Sequence, residues 1–300
     1  METIRSVRRR LRAVPAAVAL LGIACTAGLL AVAAPTHAAI PPGATVLYDS
    51  GVNGEDGFDD TGRFTPGNDL PGEDGGLWQT FNVGGTGPTL LQSTVRTGAS
   101  GQALRFERLA NGKHAHYVDF VTPVDAPAVV VEWDMYVVGT GATPLPYGPF
   151  FGIEAKNDDG GAVLGTLYVD ATTGELFSTD YQTGQSTGSP IHPDNDFIDQ
   201  WRHFRMVLDF STDTFSLYVD YATGATYTET FIDLGFQDVS SMDSADIVAI
   251  SGNNDPVSDA AAGLAYIDNY VVYTIPEPAA LTALAAGALL VTARRRVRAC

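Results

Sequence analysis

Cysteine is nearly absent from this 300-residue chain: the two present, Cys25 and Cys300, both lie in its outer segments. The stretch between them therefore has no disulfide framework, no thiol nucleophile and no cysteine-based zinc site. Basic side chains are the second shortage, with 17 Lys and Arg against 35 Asp and Glu. Five of the Arg fall in residues 1–38 and four in residues 276–300, each block carrying one Glu. Residues 39–275 keep 8 basic and 33 acidic side chains, a formal charge of −25. Such a body repels nucleic acid and anionic lipid, which excludes nucleic-acid binding. Helical periodicity is the third absence. No long stretch between 40 and 275 repeats apolar residues at i, i+3 and i+4. Without helices there is no glycine loop opening a helix to cradle phosphate, and no Ser–His–Asp order stands out.

What is present begins with two unusual ends. Arg5, Arg8, Arg9, Arg10 and Arg12 precede an apolar stretch from Val14 to Ala34, followed by Pro35-Thr36-His37-Ala38-Ala39. A basic start, an apolar core and small residues after a helix breaker read as a signal peptide over 1–38, cut after Ala38 or Ala39 by signal peptidase. The other end reads Pro276-Glu277-Pro278, an apolar run from Ala279 to Ala293, then Arg294-Arg295-Arg296. As a helix that run spans only about 22 Å, short for an ordinary hydrocarbon core. The Arg cluster stays cytoplasmic by the positive-inside rule. A Pro-Glu-Pro, a short apolar helix and a basic end, in that order, resemble the PEP-CTERM sorting signal of Gram-negative bacteria that make exopolysaccharide. The resemblance covers residues 275–300. It implies an inner-membrane intermediate, recognition by an exosortase, and delivery to the outer surface or extracellular matrix.

Between the ends, over 40–274, short β-branched and aromatic runs alternate with Gly, Asp, Asn and Pro clusters. The pattern predicts strands near Thr45–Asp49, Leu77–Asn82, Ala103–Glu107, His116–Phe120, Val129–Val138 and Phe150–Ala155. Six more follow near Val163–Val169, Glu175–Thr179, Trp201–Asp209, Thr214–Asp220, Ile247–Ser251 and Ala265–Tyr273. A dozen strands are enough for an all-β, antiparallel two-sheet sandwich. In Val131 to Val137 the Val, Trp and Met residues share one face, and Glu132, Asp134 and Tyr136 share the other. Ser211-Thr212-Asp213-Thr214 reads as a tight hairpin.

Two segments carry a fold-level resemblance. Trp201 to Phe210 followed by Phe215 to Asp220 looks like the hairpin of concanavalin A-like, laminin-G-like jelly rolls, with Tyr221 where a Gly is usual. Ala265-Tyr266-Ile267-Asp268-Asn269-Tyr270-Val271-Val272 is similar to the last strand of secreted jelly rolls. The resemblance implies a jelly-roll body, an architecture that serves lectins, glucanases and inert modules alike.

Laminarinase-type glycoside hydrolases of this fold use a Glu-x-Asp-x-(x)-Glu strand, with one Glu as nucleophile and the last as acid/base. Glu132 and Asp134 supply the first two carboxylates here, but Tyr136 and Val137 stand where the last Glu belongs. Without that proton donor the double displacement has no general acid. His114 and His116 share a strand face in principle, a two-ligand metal pattern; Lys113 and the loop setting favour an exposed turn instead. Calcium is the more plausible ion, because Glu55, Asp56 and Asp59 crowd one glycine-flanked loop. Jelly rolls of this kind often carry a structural calcium between first and last strands, and the resemblance implies Asp268 as the partner of that loop. Carbohydrate binding needs aromatic platforms beside polar groups. Tyr147, in a Pro/Gly loop, Trp78, Tyr181 and Tyr221 are the candidates, with Glu132 and Asp134 as polar partners; core packing is the alternative for Trp78, since strand aromatics are usually buried. The expectation is an exported, non-enzymatic surface or matrix protein whose jelly roll binds exopolysaccharide. A divergent laminarinase-type hydrolase and a ligand-free structural module are the alternatives.

Overall fold

The computed structural model describes residues 40–51, 57–58, 62–83, 87–97, 101–110, 112–122, 126–141, 148–157, 162–180, 185–186, 197–219, 225–230, 241–251 and 256–275. In chain order its strands are β1 (Val46–Asp49), β2 (Gln79–Val83), β3 (Thr89–Gln92), β4 (Ala103–Arg108), β5 (Lys113–Tyr117), β6 (Ala128–Val137), β7 (Phe150–Asn157) and β8 (Ala162–Asp170). They continue as β9 (Leu176–Phe177), β10 (Thr179–Asp180), β11 (Gln185–Ser186), β12 (Trp201–Asp209), β13 (Thr214–Val219), β14 (Ala225–Thr230), β15 (Ser244–Ile250) and β16 (Gly263–Ile275). One short helix, α1 (Pro256–Ala260), is the α-helix among the described residues, and none there is long and apolar enough to cross a membrane.

Fourteen of the described strands form two antiparallel sheets, and β10 pairs with β11 in a separate two-stranded one. The larger runs β14-β13-β12-β6-β16-β4-β3, with β1 also pairing with β16, and the smaller runs β2-β5-β15-β7-β8-β9. The chain switches sheets repeatedly, from β1 to β2, from β4 to β5, from β6 to β7 and from β15 to β16, which makes this a jelly-roll sandwich. Each predicted strand overlaps an observed one. β12 matches its predicted bounds, whereas β5 begins three residues earlier than expected. β3, β11 and β14 were not predicted; β3 and β14 are short strands on the larger sheet's outer edges.

Alternation explains the sandwich. Trp133 and Met135 of β6 and Phe204, Met206 and Leu208 of β12 point inward against Ile153, Leu167 and Ile247 of the smaller sheet. Trp133 stacks on Phe204 with centroids 5.5 Å apart. Each such side chain, once buried, contributes about 1.5–3 kcal/mol. The hairpin between β12 and β13 closes as expected: Asp209 Oδ1 accepts from the Ser211 and Thr212 amides. Asp213, at φ 52, turns the corner in a conformation that Asp tolerates better than most residues.

β16, the last strand, lies in the middle of the larger sheet rather than at its edge. Its register against β6 shifts between Asp268 and Val271, which pair with Asp134 and Glu132. Two residues of β16 thus oppose Trp133 alone, a β-bulge, with Asn269 at φ 53. The bulge keeps Ile267 and Tyr270 in the core while Asp268 and Asn269 sit with the residues of the outer face. Gly57 packs against it so closely that a Cβ there would lie 1.9 Å from Asp268 Oδ1.

Candidate functional site

The outer face of the larger sheet carries the polar half of the alternation in β6, β12 and β16. Register places its side chains in rows across the strands. Trp201 pairs with Tyr136, Tyr136 with Tyr266, and Tyr266 with Arg105, so three aromatic rings and one guanidinium line up over four strands. The Tyr136 ring lies 5.8 Å from that of Trp201 and 6.1 Å from that of Tyr266, both edge to face. All four side chains are partly exposed. Tyr136 holds its proton more tightly than a free tyrosine, first through partial burial and then through the neighbouring Asp199 carboxylate.

Next to this row the face is closed. His203 Nδ1 lies 2.7 Å from Asp134 Oδ1, and Asn269 Nδ2 donates to Asp134 Oδ2 at 2.7 Å. The same Asn269 amide bonds Thr97 Oγ1 at 2.8 Å, and its Oδ1 accepts from the Gly57 amide at 2.9 Å. Thr97 donates to Asp268 Oδ2 through both its amide and its hydroxyl, at 2.9 Å each. One register step on, Tyr273 donates its hydroxyl to Glu132 Oε1 at 2.7 Å, and Arg205 Nε approaches the same oxygen at 3.1 Å. Glu132 is 1% exposed and Asp134 0%. Buried carboxylates persist only when paired and hydrogen-bonded, and these two are.

That arrangement decides how the expected residues behave. Glu132 and Asp134 share one face as predicted, but inside a sealed network rather than a cleft, which corrects their assignment as ligand-binding groups. Tyr136, at the position of the missing acid, belongs to the aromatic row. Trp78 is also corrected: it is 2% exposed, packs edge to face on Tyr48 at 5.5 Å and donates Nε1–H to the Tyr48 hydroxyl. Trp78 is therefore a core residue and no platform. His114 and His116 do not form an exposed turn; both are buried on β5. Tyr147, Tyr181 and Tyr221, the loop residues Glu55, Asp56 and Asp59, and the sorting residues Pro276, Glu277, Pro278, Arg294, Arg295 and Arg296 lie outside the described residues.

The loop that carries the three acidic residues does reach Asp268, since Gly57 abuts it. Asp268 fits a calcium ligand poorly, however, because Thr97 occupies its Oδ2 and the Asn269 amide donates to its Oδ1 at 2.8 Å. No set of three or more His, Cys, Asp or Glu that would hold a metal occurs among the described residues. Reading the sequence missed Trp201 and Tyr266 as surface groups. In the folded strand Trp201 turns to the outer face of β12, and only register, which no local pattern encodes, aligns it with Tyr136 and Tyr266.

No family model matches the chain, and no curated protein matches it. Among solved structures it is similar to an alginate lyase from Aplysia kurodai, with 12% identity over 77% of this chain and 100% of that one and a TM-score of 0.49. It is similar to an endo-1,3-β-glucanase from Streptomyces sioyaensis at 16% identity, over 80% of this chain and 99% of that one, with a TM-score of 0.43. A sialidase matches 69% of this chain at 9% identity and a TM-score of 0.44, and the chain spans 18% of that protein's length. These likenesses lie in the course of the backbone, and none carries an argument about function.

Burial raises the Asp268 pKa to about 6, and the Asp134 charge adds to it against the Thr97 and Asn269 donors. Because the folded value exceeds the unfolded one, the folded state binds the proton more tightly. Asp268 therefore contributes stability that is full below the unfolded pKa and lost as pH rises through about 6. Relative to Asp268→Asn, the wild type is expected to lose up to about 3 kcal/mol between pH 4 and pH 7. Urea unfolding of both proteins at the two pH values measures this. A stability difference that does not change with pH contradicts it.

Proposed function

We propose that the chain is an exported, non-enzymatic cell-surface or matrix protein whose jelly-roll body binds exopolysaccharide along the Trp201–Tyr136–Tyr266 row. The row is the observation that carries this reading. Aromatic faces beside polar groups suit the apolar faces and hydroxyl edges of sugar rings, and Arg105 at one end and Asp199 near Tyr136 supply polar edges. A body with a formal charge of −25 favours a neutral glycan over a polyanionic one. The closure of Glu132 and Asp134 supports binding over hydrolysis. A retaining hydrolase needs two carboxyl groups facing a substrate cleft, and these two spend their oxygens on Tyr273, Arg205, His203 and Asn269. Calcium, in this reading, would enter through Glu55, Asp56 and Asp59 and not through Asp268.

The two ends supply the delivery. Signal peptidase would remove residues 1–38, and an exosortase would act at Pro276-Glu277-Pro278 while the apolar run holds the chain at the inner membrane. Replacing Pro276, Glu277 and Pro278 together by Ala is expected to leave the protein in the inner-membrane fraction, whereas the wild type reaches the cell exterior. Fractionation with immunodetection reads this, and equal export of both forms would sink the sorting claim.

Glycan binding is tested on immobilised neutral exopolysaccharides. Trp201→Ala is expected to weaken binding by about 2 kcal/mol, roughly thirtyfold, as loss of an aromatic anchor does. Wild-type binding by a folded Trp201→Ala protein would remove the row from the account.

A further inference from the structure

A second polar site lies on the other side of the larger sheet, at the open edge of the sandwich. There β2 and β5 of the smaller sheet face β3 of the larger one across a cleft of about 480 Å³. Asp69, Thr80, Asn82, Thr89, His114 and His116 line it. The size is that of a small-molecule pocket.

The two histidines set its chemistry. They occupy alternate positions on β5, so both rings point to the same face, with centroids 5.7 Å apart and planes at 75°. Phe106 stacks on His114 at 4.5 Å and fixes that ring against the core. The two residues are 1% and 2% exposed, yet His114 Nε2 lacks a hydrogen-bond partner and the His116 ring has at most a backbone contact with Gln79. Buried polar groups in folded proteins are paired in the great majority of cases, so orphan imidazole nitrogens beside a cavity mark a place for a partner. Burial holds His114 down at about 4, helped by the Arg108 charge, and His116 at about 3, helped by His114. At neutral pH each ring is therefore uncharged and offers one N–H donor and one lone pair.

The rest of the lining matches. Thr80 Oγ1 lies 3.3 Å from the Ala115 carbonyl and 3.2 Å from Asn82 Oδ1, and its single proton serves one of them at a time. Asp69 Oδ1 accepts only a long contact, 3.3 Å, from the Thr89 amide. Neutral groups that both donate and accept, with one carboxylate acceptor among them, complement vicinal hydroxyls. Among the described residues no Lys or Arg lines the cleft to pair with a sugar carboxylate or sulfate. A metal is the less suitable guest, because no third His, Cys, Asp or Glu joins the imidazoles in a metal-holding group among the described residues.

We propose that this edge cleft binds a single uncharged sugar ring, its hydroxyls satisfying the ring nitrogens of His114 and His116 with Asn82, Thr80 and Asp69 completing the set. The site is independent of the aromatic row, which lies across the sheet, so the two assignments can fail separately.

The test uses the full chain labelled with 15N and follows the His114 and His116 imidazole nitrogens by NMR. D-Glucose, D-galactose, D-mannose and, separately, zinc chloride are titrated in. At least one sugar is expected to shift both imidazoles, in the wild type and equally in Trp201→Ala. Asn82→Ala, a change at an exposed edge position, is expected to weaken that response at least about tenfold. His114→Gln is expected to abolish it; Asn82→Ala keeps the test decisive should that variant fail to fold. Imidazoles unmoved by all three sugars would mean that water alone fills the cleft and would overturn the proposal. So would a response to zinc only, or sugar binding unchanged in Asn82→Ala.

Discussion

The carboxylate of Asp134 is the point on which the outer face of the larger sheet depends. It sits at 0% exposure in a strand whose other face is core. A charge so placed is tolerated only if both oxygens are occupied. His203 comes from β12 and Asn269 from β16, so satisfying this one group fastens three central strands at a single level. Asn269 can reach it only because β16 bulges there, with the backbone at φ 53 and Gly57 fitted against the bulge without a Cβ. Breaking one partner of such a group leaves a buried charge uncompensated, which costs about 3–5 kcal/mol.

Fixing that level fixes the others. With Asp268 opposite Asp134, the next outward residue of β16 toward its start is Tyr266, which falls opposite Tyr136, and Trp201 faces Tyr136 from β12. The aromatic row is thus a consequence of the same register that seals the polar network. The two have opposite character: the network spends its hydrogen bonds internally, while the row keeps its ring surfaces available. The proposed glycan contact on this face belongs to the second.

Much of the sandwich was legible because alternation is a local signal. Val131, Trp133 and Met135 against Glu132, Asp134 and Tyr136 announce a strand and its two faces, and Asp209 beside Ser211 announces the turn. β14 escaped because Thr226, Thr228 and Thr230 alternate with Ala225, Tyr227 and Glu229, giving an edge strand with little apolar contrast. The start of β5 escaped for a related reason, since Lys113, His114 and His116 read as a polar turn although both imidazoles point into the sandwich. In the candidate site the carboxylates were visible from their residue types. Their closure was not, because it depends on His203, Asn269 and Tyr273, which lie 69 to 141 residues away along the chain. For Trp78 the sequence left platform and core both open, because an aromatic at a strand boundary does not show that Tyr48 and Phe58 will bury it.

Of the three tryptophans, Trp78 and Trp133 are 2% and 0% exposed, and Trp201 alone is open to solvent. Acrylamide quenching of the intrinsic fluorescence therefore reports on the row without any substitution. The account predicts that one accessible tryptophan component is quenched in the free protein and becomes protected when neutral exopolysaccharide is added. Quenching that stays the same while the polysaccharide demonstrably binds would contradict it, and would move the glycan to another surface.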